Sequence, residues 1–337
     1  MKNLISLVVI FLITFSLFLS CEKEVEVSGI IVGTKTLTLS KGDIVTISYL
    51  IKPYRAENKS VKFTSKDSSI ADVSTTGIVT AKAEGKTQII VETEDGNFSE
   101  TVEVRVLHGS PAEDSIALLK LYEIMYYKNW DLTKSMDKWE GVILSPNRRV
   151  LYINNNNRIQ IIGNLDVSIG NLACLKSLRL GNYNWNNSII IPKEIGLLTE
   201  LESLSFNYGF SGTIPNEIGN LVKLKQLEFT DNPLTGTIPK EIGNLINLEV
   251  FIIEYSQITG NIPKELGKLT NLSSLSLSES RLSGEIPKEL ENLARLNNLY
   301  LVYNYLSGDI PQYLLQRFNY WSFCPQYGEG FNNLNCY

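Results

Sequence analysis

One histidine, His108, occurs in the 337 residues, and it stands in a short segment, His108 to Pro111, between two differently patterned halves. A Ser-His-Asp or Cys-His relay needs an imidazole beside its nucleophile, so neither can be built in the C-terminal half. No His/Cys set at zinc spacing, no glycine-rich phosphate loop and no G-x-S-x-G occurs, so no metal and no cofactor are expected. Ser135 and Lys138 match S-x-x-K in form, but they lie beside Trp139 without the companion motifs, and we read the match as chance. The acids are spread along the chain. Carboxylates such as Glu228 and Glu254 are the one enzymatic alternative left, and the expectation is a protein that is not an enzyme.

Side chains suited to recognition are better represented. Asn182, Tyr208, Asp231, Tyr255, Glu279 and Tyr303 form a column in which tyrosine and acid alternate, with Ile252, Glu254, Tyr300 and Val302 beside it. What places them in register is an Ile-Pro pair that returns six times, at Pro192, Pro215, Pro239, Pro263, Pro287 and Pro311, the last four steps being 24 residues each. A fixed period of that size predicts a stacked solenoid. One unit runs Leu221, Leu224, Leu227, Phe229, Asn232, Leu234, Gly236, Ile238, Pro239, Ile242. This pattern is identified as the leucine-rich repeat, and Gly236-Thr237-Ile238-Pro239 resembles the subtype of plant receptor ectodomains.

A single unit cannot bury its own leucines, so each repeat must cover its neighbour and the ends need caps. The strand around Leu227 and Phe229 should alternate, placing Gln226, Glu228 and Thr230 on a concave sheet, while 240–245 returns along the convex side as a helical turn. The recurring Lys-Glu at Lys240-Glu241 reads as a solvated face. On strands about 4.8 Å apart, the tyrosines of alternate repeats should sit roughly 10 Å from one another. Tyrosine joins large contact area to a polar tip, as a binding face requires. β-propensity alone also favours Tyr, Ile and Val on strands, so both readings stand at this point.

The pattern has departures. The turn Asn of Asn232 and Asn304 becomes Ser256 and Ser280 between them, where a shorter hydroxyl must make the bonds. The first unit carries two extra residues at 182–187, and the second is one short at 208–210; such inserts map to loops on one face.

Lys2, an apolar stretch from Leu4 to Leu19 and then Ser20-Cys21 read as a secretory signal, too short for a comfortable membrane span of about 20 residues. Leu17-Phe18-Leu19-Ser20-Cys21 resembles a loose lipobox, which implies lipid on Cys21, and Glu22-Lys23-Glu24 resembles the tethers of Bacteroidetes-type surface lipoproteins. An uncleaved N-terminal anchor is the alternative. The formal charge of −5 and isoelectric point near 5.2 leave no basic excess to exchange for counterions, which argues against nucleic acid. Cys174 stands alone in the first repeat, leaving Cys324 and Cys336 as a candidate disulfide worth roughly 3 kcal/mol in an oxidising compartment; two thiols is the alternative.

Between Val25 and Leu107 short alternating runs such as Val61-Lys62-Phe63-Thr64 and Val102-Glu103-Val104-Arg105-Val106 are separated by turn residues, as in a β-sandwich. Phe63 to Val73, Gly77 to Ala81 and Gly85 to Ile89 resemble the bacterial Ig-like group 2 family, with Phe63 where that family usually has Trp. Ala117-Leu118-Leu119, Leu121-Tyr122 and Met125 keep helical spacing. With Trp130 and Trp139-Glu140-Gly141-Val142 they resemble the N-terminal cap of plant-type repeat domains, lacking its cysteine pair. Asp114-Ser115-Ile116 resembles a Bacteroidetes O-glycosylation acceptor, although a helix N-cap by Asp114 or Ser115 is the simpler reading.

The expected architecture is therefore multidomain: a signal peptide (1–20), an all-β Ig-like sandwich (21–107), a linker and helical N-cap (108–149), an α/β leucine-rich-repeat solenoid or horseshoe (150–315) and a C-terminal cap (316–337). The expected function is that of a monomeric, lipid-anchored protein at the outer membrane and cell surface. It would bind a protein or peptide in adhesion, or alternatively a glycan, through Tyr208, Asp231, Ile252, Glu254, Tyr255, Glu279, Tyr300 and Tyr303.

Overall fold

A computed structural model describes residues 25–125, 130–154, 161, 163–181, 188–318 and 322–323. Cys21, Cys324, Cys336, Trp321 and the 182–187 insert lie outside the described residues, as does the signal segment. The chain divides into two units, Met1–Val106 and Leu107–Tyr337. Among the described residues no helix is long and apolar enough to cross a membrane.

In the first unit a four-stranded sheet runs in the order Thr36–Ser40, Ser99–Leu107, Gly85–Thr93, Val61–Ser65. A three-stranded sheet is formed by Ile44–Thr46, Ile78–Ala81 and Ala71–Val73, and a ribbon by Gly29–Val32 with Tyr49–Lys52. The period of two decides what is inside. Along Gly85–Thr93 every second residue from Thr87 is buried, and Ile89 faces Val102 across the antiparallel pair. Phe63 packs against this core, with Tyr49 edge-on at 5.8 Å. The ring lies where a Cβ on Gly77 would come within 2.7 Å of it, so the smaller aromatic is seated against a glycine.

The second unit is built on an eight-stranded sheet. Val142–Leu144 pairs antiparallel with Val150–Asn154; Ser177–Gly181, Ser203–Asn207, Gln226–Thr230, Val250–Glu254, Ser274–Ser276 and Asn298–Tyr300 then follow in parallel. Register keeps the inward rows aligned: Leu204, Leu227, Phe251, Leu275 and Leu299 stack in line, all buried. The convex turns are 3₁₀ rather than α-helical, for example Lys240–Asn244, and each of the five turns from 193 to 292 starts at a proline whose missing N–H costs nothing there.

Turns stack closely because of one glycine column. A Cβ on Gly219 would lie 2.6 Å from the Glu241 carbonyl oxygen of the next turn, and Gly196, Gly243 and Gly267 are equally tight. In the next repeat this position is Glu291, and the turn beyond it is a short α-helix, Gln312–Leu315, instead of another 3₁₀ turn. Burial and the Glu291 and Glu289 carboxylates push the Tyr313 phenol on that helix up to about 12.

The turn residues behave as their chemistry requires. Asn232 donates through Nδ2 to the Phe206 carbonyl (2.6 Å) and accepts at Oδ1 from the Phe210 amide (3.0 Å); Asn304 does the same between Leu277 and Leu282. Ser256 and Ser280 cannot reach that far, and their hydroxyls pair with each other at 2.8 Å.

The N-terminal cap is held by packing and one buried ion pair. Helix α1, Pro111–Glu123, buries Ala117, Leu118 and Leu121, and Tyr122, Trp130 and Trp139 stack with ring centroids 6.3 and 5.1 Å apart. Arg149 donates to both oxygens of Asp114 (2.9 and 3.1 Å), and the Val150 amide donates to the same carboxylate (2.8 Å). Three sequence expectations change here. Ser110, not Asp114 or Ser115, caps α1 by accepting from the Glu113 amide. Of the glycosylation-like motif, Asp114 is wholly buried, Ser115 is half-buried with its hydroxyl donating to the Pro111 carbonyl (2.9 Å), and Ile116 is exposed. The segment read as a linker is fixed to the repeat unit, because the His108 and Gly109 carbonyls accept from Arg149 and His108 Nε2 meets Asn171 Oδ1 at 3.2 Å.

Candidate functional site

Concave positions alternate as expected along Gln226–Thr230: Leu227 and Phe229 point inward, while Gln226, Glu228 and Thr230 reach the surface. Ile252 and Glu254 are half-buried on the next strand, and Tyr300 is 49% exposed two strands further on. Tyr208, Asp231, Tyr255, Glu279 and Tyr303, however, are not strand residues. Each lies just beyond the parallel strand segment in the left-handed region, with φ of 63°, 56°, 54°, 54° and 57°. The reason is the turn: the chain must leave the sheet before the inward Asn or Ser, and a left-handed residue reverses it within one step.

Exposure along this column varies. Tyr255 and Tyr303 are 55% and 37% exposed; Tyr208 is half-buried and donates its phenol proton to Asp231. Desolvation raises the Asp231 carboxyl above its usual range, and that phenol opposes the rise. Glu254 accepts from the Ser276 hydroxyl. The tyrosines predicted to dominate binding are therefore unequal, with Tyr255 the most open.

Other expected chemistry resolves into local contacts. The Ser135 hydroxyl and the Lys138 ammonium, 3.1 Å away, both serve Asp137 and hold its carboxyl below the usual range, the serine being the larger influence. Cys174 is half-buried. Hollows of about 460 and 560 Å³ lie by Glu249, Asn271 and Arg295, and at the cap by Val142 to Pro146. Sequence reasoning missed the Arg149–Asp114 pair, whose members stand 35 residues apart outside any period.

Residues 26–104 match the family of bacterial Ig-like domains, group 2, and residues 223–245 and 271–293 match the leucine-rich repeat. The chain joins an Ig-like domain to a leucine-rich-repeat solenoid. Over 83 residues it is 39% identical to the Ig-like virion protein of Serratia phage KSP90, a stretch covering 24% of this chain and 32% of the phage protein. The repeat fold is similar to the PEPR1-AtPEP1 crystal structure, with a TM-score of 0.55 and 29% identity over 66% of this chain and 32% of that one. It is similar also to a plant ice-binding protein, with a TM-score of 0.51 and 25% identity over 60% and 66%. The chain thus spans about a third of the phage and PEPR1 chains, and just under two thirds of the ice-binding one.

Proposed function

We propose that this is a non-catalytic binding protein that presents the concave sheet of its repeats to a protein or peptide partner in adhesion. In this reading it works as a monomer at the cell surface, tethered to the outer membrane by lipid on Cys21. The observation that carries the binding reading is the left-handed column. Glycine or asparagine would hold such a turn with less strain, yet five successive turns carry Tyr, Asp, Tyr, Glu and Tyr. Strain of that kind is retained where the side chain has work to do. Likeness to the PEPR1-AtPEP1 structure supports a polypeptide ligand.

Truncating Tyr255 to Ala should weaken partner binding by about 1 to 2 kcal/mol or more, as loss of a central aromatic anchor does. Arrays of proteins and glycans identify the ligand, and titration of both forms decides. Unchanged binding by Tyr255→Ala, with loss on changing Lys240 and Glu241, would move the site to the convex face. A glycan partner is the second reading, favoured by tyrosine faces beside the carboxylates and hydroxyls of Glu254 and Ser276. Ice binding fits less well: an ice lattice repeats identically, whereas the exposed G-x-I-P column runs Thr213, Thr237, Asn261, Glu285, Asp309. Anchoring is tested by metabolic labelling with a fatty-acid analogue, which should mark the wild type and not Cys21→Ala.

A further inference from the structure

We infer that the stretch of the concave face between Tyr255 and Tyr300 is built for a polypeptide segment carrying lysine or arginine. This rests on the concave-face reading above and narrows its partner. Between two walls lies a floor of serines. One wall is Ile252, Glu254 and Tyr255; the other is Tyr300, Val302 and Tyr303. The strand between them presents Ser274, Ser276 and Ser278, with Ser276 and Ser278 only 3% and 6% exposed. At the spacing of parallel strands the walls stand about 10 Å apart.

The floor holds an unmet hydrogen-bonding need. Leu277 points inward and is wholly buried, so Ser278 projects to the concave side, and its Oγ has no partner among the described residues. A buried hydroxyl in that state calls for an explanation. The hydroxyl has no exposed surface of its own, so a segment laid in the trough supplies the missing partner by displacing the side chains around it.

Charge specifies the segment. From Ser203 to Tyr303 the concave and turn positions carry Glu228, Asp231, Glu254 and Glu279 and no Lys or Arg. Scarcity does not explain this, since the chain has 31 Lys and Arg against 36 Asp and Glu. The cations of these repeats stand elsewhere: Lys223 and Lys225 pair with Glu200 and Glu202, Lys240, Lys264, Lys268 and Lys288 lie on the convex turns, Arg281 opens the short strand after the Glu279 turn, and Arg295 donates to Asn271; on the sheet itself the nearest is Arg179, beside Ser205 and outside this stretch. Tyrosine faces beside carboxylates attract ammonium and guanidinium groups by cation-π contact and by charge together, whereas a neutral sugar can donate hydroxyls to the carboxylates but gains no attraction from the net charge of four acids.

The test pans a random short-peptide display library against the full chain and titrates the enriched peptides. Enrichment in Lys and Arg is expected, with affinity falling at least tenfold in the double variant Glu228→Gln, Glu254→Gln and falling steadily between about 50 and 500 mM salt. Glutamine keeps the size of glutamate and an acceptor for Ser276, and unchanged thermal unfolding confirms an intact fold. Ser278→Ala should weaken the same peptides without lowering stability. Enriched peptides lacking basic residues, or binding both forms equally, overturn the inference. A neutral glycan that binds wild type, is lost with Tyr255→Ala and ignores the Gln variant also overturns it, while leaving the concave-face reading standing. Basic peptides indifferent to Tyr255→Ala would instead defeat that reading.

Discussion

In the interior of the array, Leu227 is covered by Phe251 and Phe251 by Leu275, and each unit closes on the next through the same backbone register. No repeat precedes Val142–Leu144, and there the work passes to contacts that occur once: the Tyr122, Trp130 and Trp139 stack and the Arg149–Asp114 pair. The interior therefore tolerates variation, as when Ser256 and Ser280 replace the asparagine, because many equivalent contacts share the load. The cap has no such reserve. Its members are few, dissimilar and mutually dependent.

The strongest way to break this contrast is Arg149→Met, which leaves Asp114 charged and wholly enclosed and should cost about 3 to 5 kcal/mol in urea denaturation. Asp114→Leu added to it should recover at least half. No recovery would mean that the arginine acts through the carbonyls of His108, Gly109 and Asn171 instead. Burial is the main influence on Asp114 and raises its carboxyl; losing the guanidinium raises it further. A raised carboxyl contributes stability that is fully present below the unfolded value near 3.9 and is lost as pH rises through the folded value, so the deficit of Arg149→Met should shrink between about pH 7 and pH 4.

Smaller effects sharpen the interior side of the comparison. Asn232→Ala strands the Phe206 carbonyl and the Phe210 amide, at about 1 to 3 kcal/mol; Ser256→Ala removes the pair with Ser280 and the long bond from the Ile258 amide (3.3 Å), at about 1 kcal/mol or less. Equal losses would show that the serine pair replaces the asparagine fully. Smallest is Tyr255→Gly, which relieves a left-handed residue and should raise stability by up to about 1 kcal/mol, where Tyr255→Ala stays within about 0.5. A loss above about 1 kcal/mol for Tyr255→Gly, read by thermal unfolding, would make that tyrosine a packing residue.

The 24-residue period made the repeats, their inward rows and their concave residues legible, because every unit reports the same geometry again. Val61 to Thr64 and Val102 to Val106 likewise showed their strands through alternation. What stayed hidden occurs without repetition. Asp114 looked like a cap or a surface acceptor because its partner, Arg149, is distant in sequence and unmarked by spacing. The tyrosine column was placed on strands, since alternation read outward from Phe229 does not reveal that the next step but one is left-handed. The trough floored by Ser276 and Ser278 depends on the height of neighbouring side chains, which a one-dimensional pattern does not carry.

Glu291 breaks the glycine column of the convex turns. Every earlier unit in the series from Gly196 to Gly267 leaves room into which the following turn drops; at the exposed Glu291 the position carries a side chain, and the next turn is the Gln312–Leu315 helix, with Tyr313 close enough for the Glu291 carboxylate to raise its phenol. A duplicated unit from the 196–267 series would bring its own glycine and could seat the next 3₁₀ turn as its neighbours do, whereas a copy of the unit holding Glu291 would set a Cβ where those glycines leave none.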